Sequence, residues 1–173
     1  MRIILTLLFV FSIAYSYVDR QLYFYGRSDF DAYHPLPVNV KPDYWGYDLG
    51  NTGFVLVDDL DFVIVGKGSK YKTSKLIVNE VTKYSFDNGK IIVGVTDSTG
   101  REHLISMHHL SDSNIEISVD PNIDHISSNW IMIKGSEKYI KQLEWTRSII
   151  RIILFFTIIV GLVRVFNIYF RKK

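Results

Sequence analysis

Cysteine is absent from this chain. That excludes a disulfide framework, a thiolate metal site, a catalytic thiol and a lipid-bearing cysteine, so stability has to come from packing alone. No Asn-x-Ser/Thr sequon occurs either, which favours a bacterial envelope over a eukaryotic secretory route. The recurrent catalytic signatures are missing as well: no Gly-x-Ser-x-Gly, no His-Glu-x-x-His, no glycine-rich cofactor loop. Gly66-Lys67-Gly68-Ser69 lacks the spacing of a phosphate loop, and no helical pattern follows it. Asp97-Ser98-Thr99-Gly100 has one residue too many for an aspartic-protease motif and no second copy to share a proton. Asp58, Asp59 and Asp61 lack the glycine and distal glutamate of a calcium loop. His103, His108 and His109 fall in one strand-like run, where His103 and His109 would lie about 20 Å apart at roughly 3.3 Å per residue. No catalytic residue, cofactor or metal ligand is therefore assigned.

Charge is absent from Ile152 to Val163. Extended by its flanks to residues 149–170, this run is long enough to cross a hydrocarbon core of about 30 Å, with Arg151 and Arg164 reaching the headgroups. Branched and aromatic residues cover every side of the helix, which distinguishes it from an amphipathic helix lying on the surface. Thr157, Gly161, Arg164 and Asn167 project onto one arc of roughly 120° at about 100° per residue, a candidate interface for a partner's helix or a second copy. Arg171, Lys172 and Lys173 form a terminal cationic cluster, which places residues 171–173 in the cytoplasm.

At the other end, Met1-Arg2 precedes an apolar run from Ile3 to Ile13, and Ala14-Tyr15-Ser16 supplies small residues at positions suited to cleavage. Residues 1–16 read as a signal peptide, or else as a short uncleaved anchor. Either way the middle of the chain is expected outside the cytoplasm, periplasmic or extracellular, on a cell-membrane protein with a single span. All 18 Asp and Glu lie between Tyr17 and Thr146, with 13 of the 20 Lys and Arg. An acidic domain of this kind is a poor binder of nucleic acid, whose affinity rests on neutralising phosphates.

The fold class expected is α+β: a small antiparallel β-sheet meander as ectodomain, with a long C-terminal helix running into the span. Residues 17–53 hold many aromatics and three of the four prolines, and only Gln21 to Tyr25 reads as a strand. The remainder is expected to be irregular, with Tyr33, Tyr44, Trp45 and Tyr47 as a candidate recognition surface or as cover for the sheet. Residues 54–134 carry the β signals. Phe54 to Val57 and Phe62 to Val65 predict a hairpin, and Tyr84 to His109 a three-stranded meander with turns at Asn88-Gly89 and Ser98-Thr99-Gly100. Ser136 and Glu137 mark the start of a helix over 136–148 with no breaker before the span, together about 34 residues or roughly 50 Å. These features predict an exoplasmic interaction module tied to the bilayer, an envelope binding protein or an accessory subunit of a membrane complex. The alternatives are a small tethered hydrolase with an aromatic-lined cleft and a viral or phage envelope protein.

Overall fold

The computed structural model describes residues 2–30, 36–45, 53–71, 74–87, 89–111, 114–119, 129–133 and 137–170. Its first element, α1, is a helix over Arg2–Tyr23. The helix outlasts the apolar run because Phe11, Ala14, Tyr15, Val18 and Leu22 continue one stripe at helical spacing, and all five pack on the C-terminal helix α2, Glu137–Phe170. Ala14-Tyr15-Ser16 therefore sits in mid-helix, and residues 17–23, expected in the irregular segment, are helical. Gln21 to Tyr25 is correspondingly not a strand.

What stops α1 is Gly26. Its amide donates to the Tyr23 carbonyl at 2.9 Å, and the Arg27 amide reaches back to the Leu22 carbonyl at 3.1 Å. This is the paired hydrogen-bond pattern of a Schellman stop, which needs a left-handed residue at its centre, and Gly26 has φ +63°. A Cβ there would lie 2.4 Å from the Asp43 backbone. Only glycine fits.

Between the helices, the described residues form ten strands. Lys41–Trp45 (β1), Gly53–Val57 (β2) and Val63–Val65 (β3) form one antiparallel sheet. Lys70–Tyr71 (β4) and Leu76–Ile77 (β5) make a small ribbon. Glu80–Asp87 (β6), Lys90–Thr96 (β7), Glu102–Ser111 (β8), Asn114–Val119 (β9) and Ile131–Met132 (β10) form a five-stranded sheet in the order β10-β6-β7-β8-β9. The expected meander is thus present and one strand longer. Its register pairs Val93 with Tyr84 on one side and Ile105 on the other. Gly89 and Gly100 take φ +76° and +82° in the two turns.

The two larger sheets share a core. Ile91, Val93 and Val95 alternate onto one face of β7 and meet Ile105 and Met107 of β8, with Phe54, Leu56 and Val65 from the smaller sheet. Phe54 stacks on Tyr84 at 5.4 Å between centroids. A tight loop, Leu36 to Val40, inserts Leu36, Val38 and Val40 into the same core, closed by the Leu36 amide donating to the Val40 carbonyl at 2.8 Å. On the outer face, Lys83 lies across Gly94 to reach Glu102 at 2.6 Å, and a Cβ on Gly94 would stand 2.7 Å from the Lys83 side chain.

The C-terminal helix is continuous through the expected boundary at 148/149, 34 residues in all and about 51 Å at about 1.5 Å per residue. Both helices are long and apolar enough to cross a membrane.

Candidate functional site at the junction of helices and domain

Four charged side chains gather where α1, α2 and the sheets meet. Asp19, one turn from the end of α1, is fully buried, and its carboxylate accepts from Arg147 of α2 at 2.7 Å, from the Ser28 hydroxyl at 2.6 Å and from the Asp29 amide at 3.0 Å. Arg147 is itself largely buried, donates to the Arg27 carbonyl at 2.8 Å and lies 3.3 Å from Asp29. One turn further along α2, Arg151 pairs with Asp29 and donates to the Tyr15 hydroxyl at 3.2 Å. Tyr15 in turn donates to Asp29 at 2.5 Å, and Phe30 packs edge-on against its ring. Two acids and two bases balance, and the buried charge is matched by directed donors, which is what makes its burial tolerable.

The turn after α1 is fixed to the core from the other side. Tyr84, buried in the sheet, donates its hydroxyl to the Phe24 carbonyl at 2.7 Å. Burial pushes its phenol well above the ordinary range, so it is a standing donor at neutral pH.

Two hollows flank this junction. One, of about 360 Å³, lies between the sheet edge and the start of α2 and is lined by Arg27, Tyr44, Lys67, Glu80, Lys141 and Glu144 among others. The Arg27 guanidinium stacks 3.7 Å over the Tyr44 ring there. The second, of about 380 Å³, has Phe30, Lys41, Trp45 and Asp61 in its wall. Trp45 donates its indole N–H to Asp43 at 2.8 Å. Tyr44 and Trp45 are neighbours on β1 and so face opposite ways, each into a different hollow. Tyr33 and Tyr47 lie outside the described residues.

Of the arc on α2, Gly161 faces α1: a Cβ on it would meet Ile4 at 3.4 Å. Thr157 is half-buried and donates to the Ile153 carbonyl at 2.7 Å, while Arg164 and Asn167 are exposed.

His103 and His108 are not brought together, each pairing with a different acid; His34 and His125 lie outside the described residues. His103 lies 2.9 Å from Asp97, and His108 lies 2.7 Å from Glu116. Asp61 pairs with Lys41 instead. Asp97 is the hub of its own turn, accepting from Thr99 and from the Arg101 amide; the Thr99 hydroxyl first, then His103, holds its carboxyl well below the usual range. Among the described residues no group of three or more His, Asp or Glu is placed to hold a metal.

The ion-pair cluster was not anticipated from the sequence. Its signal is nonetheless there: an acid, Asp19, directly after one apolar run, and two arginines four residues apart directly before the other. Comparison with protein-family models, with curated proteins and with solved structures finds no match to this chain. The class the fold defines is an antiparallel β domain carried on two apolar helices.

Proposed function

We propose that the protein is a membrane-anchored interaction module, with its β domain outside the cytoplasm, serving as an envelope binding protein or as an accessory subunit of a membrane complex. The observation that carries this is the outer surface of α2. Phe155, Phe156, Leu162 and Phe166 are each 60% exposed or more, on an unbroken helix whose first half packs on α1. A patch of that extent is untenable in water and matches acyl chains. The cationic 171–173 end supports a cytoplasmic C-terminus and an exoplasmic domain.

Support for a partner comes from the tip of the β2–β3 hairpin. Leu60 and Phe62 are 71% and 67% exposed there, on a turn kept rigid by Asp58, which accepts from the amides of both. An exposed phenylalanine such as Phe62 on a held turn is a residue type enriched at the centre of interfaces. The test is purification of the tagged full chain from native membranes after alkaline washing, beside Leu60→Ser/Phe62→Ser. A chain that stays in the washed membrane and brings down a stoichiometric partner, lost in the variant with unchanged melting, is the expected result. Release by the wash overturns the anchor, and an isolated monomer overturns the partner.

A further inference from the structure

We propose that α1 is kept in the mature protein and crosses the membrane beside α2, making an antiparallel two-helix hairpin locked at its outer boundary by Asp19 and Asp29 against Arg147 and Arg151. The inference rests on the membrane-anchor reading and adds a second span to it.

The seam between the helices is continuous across the would-be cleavage site. Ile4 meets Gly161 near one end, Tyr15 meets Arg151, and Asp19 meets Arg147 near the other. These pairs keep a constant antiparallel register: moving eleven residues along α1 from Ile4 to Tyr15 moves ten back along α2, and four more from Tyr15 to Asp19 moves four. Ala14 and Tyr15, which a signal protease would have to draw out in extended form, are helical and packed on α2. Cutting after Ser16 would leave a seven-residue stub of α1, too short to hold a helix alone. Asp19 would then lose the scaffold that presents it to Arg147.

Charge placement on the two arms agrees. In α1 no charged residue occurs between Arg2 and Asp19; in α2 none occurs between Arg151 and Arg164. In the observed register Arg2 stands near Arg164, and Asp19 stands against Arg147. Both arms therefore carry an uncharged stretch, about 25 Å long on α1 and about 20 Å on α2 at about 1.5 Å per residue, the α2 stretch ending at Arg151, one turn inside the Asp19–Arg147 level. Both are somewhat less than a hydrocarbon core of about 30 Å, a difference that arginine stems and local thinning absorb. The exposed side of α1 also presents apolar side chains, with Ile3 at 74% and Phe9 at 67%.

Because the chain has no cysteine, one designed pair reports on the seam. The full chain, tagged after Lys173, is isolated from membranes as the parent, as Ile4→Cys/Gly161→Cys and as Ile3→Cys/Gly161→Cys, in which Ile3 points away from the seam. Expected are an intact mass that includes residues 1–16 and, on mild oxidation, a reductant-reversible crosslink within one chain for the Ile4 pair only. A parent that begins at Tyr17 overturns the proposal while leaving the α2 anchor standing. So does a full-length, membrane-bound pair that crosslinks no better than the Ile3 control. Recovery of the parent in the soluble fraction would instead overturn the anchor reading beneath it.

Discussion

Asp19 and Asp29 belong to the same cluster and are energetically unlike. Asp19 has no exposed surface and accepts from Arg147, Ser28 and the Asp29 amide, whereas the Asp29 side chain is 32% exposed. Removing one partner of a buried pair strands the other charge, at a cost of about 3 kcal/mol or more. A half-exposed pair is worth about 1 kcal/mol or less. Asp19→Asn should therefore lower the melting temperature of the detergent-solubilised full chain several times more than Asp29→Asn. Comparable losses would mean that the cluster is uniformly wet. The Asp97 turn makes a different prediction, about pH. Its folded carboxyl titrates below the unfolded value of about 3.9, so its contribution is complete above that pH and is lost as pH falls toward the folded value. The drop in melting temperature between neutral and strongly acidic pH should then be smaller for Asp97→Asn than for the parent.

Individual elements differ in how plainly the sequence announces them. Asn88-Gly89 between β-branched runs declared the β6–β7 hairpin, because few residues tolerate the positive φ such turns require. Gly89 has φ +76° and open space around it, so Gly89→Val should cost only the backbone strain, about 1–2 kcal/mol, measurable as a melting shift. Gly26→Ala adds a collision with the Asp43 backbone to the same strain and should cost more. The C-terminal helix was legible in its length, since its apolar run and lack of breakers agree; Ser136, the expected cap, lies outside the described residues. The end of α1 was not. Leu22, Tyr23, Phe24 and Tyr25 are a branched and aromatic cluster that reads as a strand locally, and only the packing of Val18 and Leu22 on α2 makes helix the better state. The cluster of Asp19, Asp29, Arg147 and Arg151 was hidden for a related reason. Asp19 and Arg147 are 128 residues apart in the chain, and no local pattern records a contact of that range. Leu36 to Val40 is similarly opaque. Val38 takes φ +70°, unusual for a β-branched side chain, in order to bury its methyls in the core.

At the scale of the whole molecule, α2 joins several parts: its first turn meets the turn after α1 through Tyr139 and Tyr25, its next turns meet α1 through Ile140, Leu143 and Ile150, and Arg147 and Arg151 enter the charge cluster. A continuous helix transmits rotation, so the contact with Tyr25, the seam with α1 and the charge cluster are set by one register. Inserting a single alanine between Glu144 and Trp145 turns everything beyond it by about 100° and shifts it by about 1.5 Å. Either Arg147 then leaves Asp19 or Tyr139, Ile140 and Leu143 leave Tyr25 and α1, since both sets of contacts cannot be kept. The loss should be at least that of Asp19→Asn, about 3 kcal/mol, or roughly 6–12 °C in melting temperature for a chain of this size. The same alanine inserted between Val165 and Phe166, beyond the Ile4 contact with Gly161, disturbs neither the cluster nor the seam and should leave the melting temperature within a degree or two of the parent. Equal behaviour of the two insertions would mean that the first turns of α2 and the charge cluster are not tied to one register, and that the Asp19–Arg147 contact holds nothing in place.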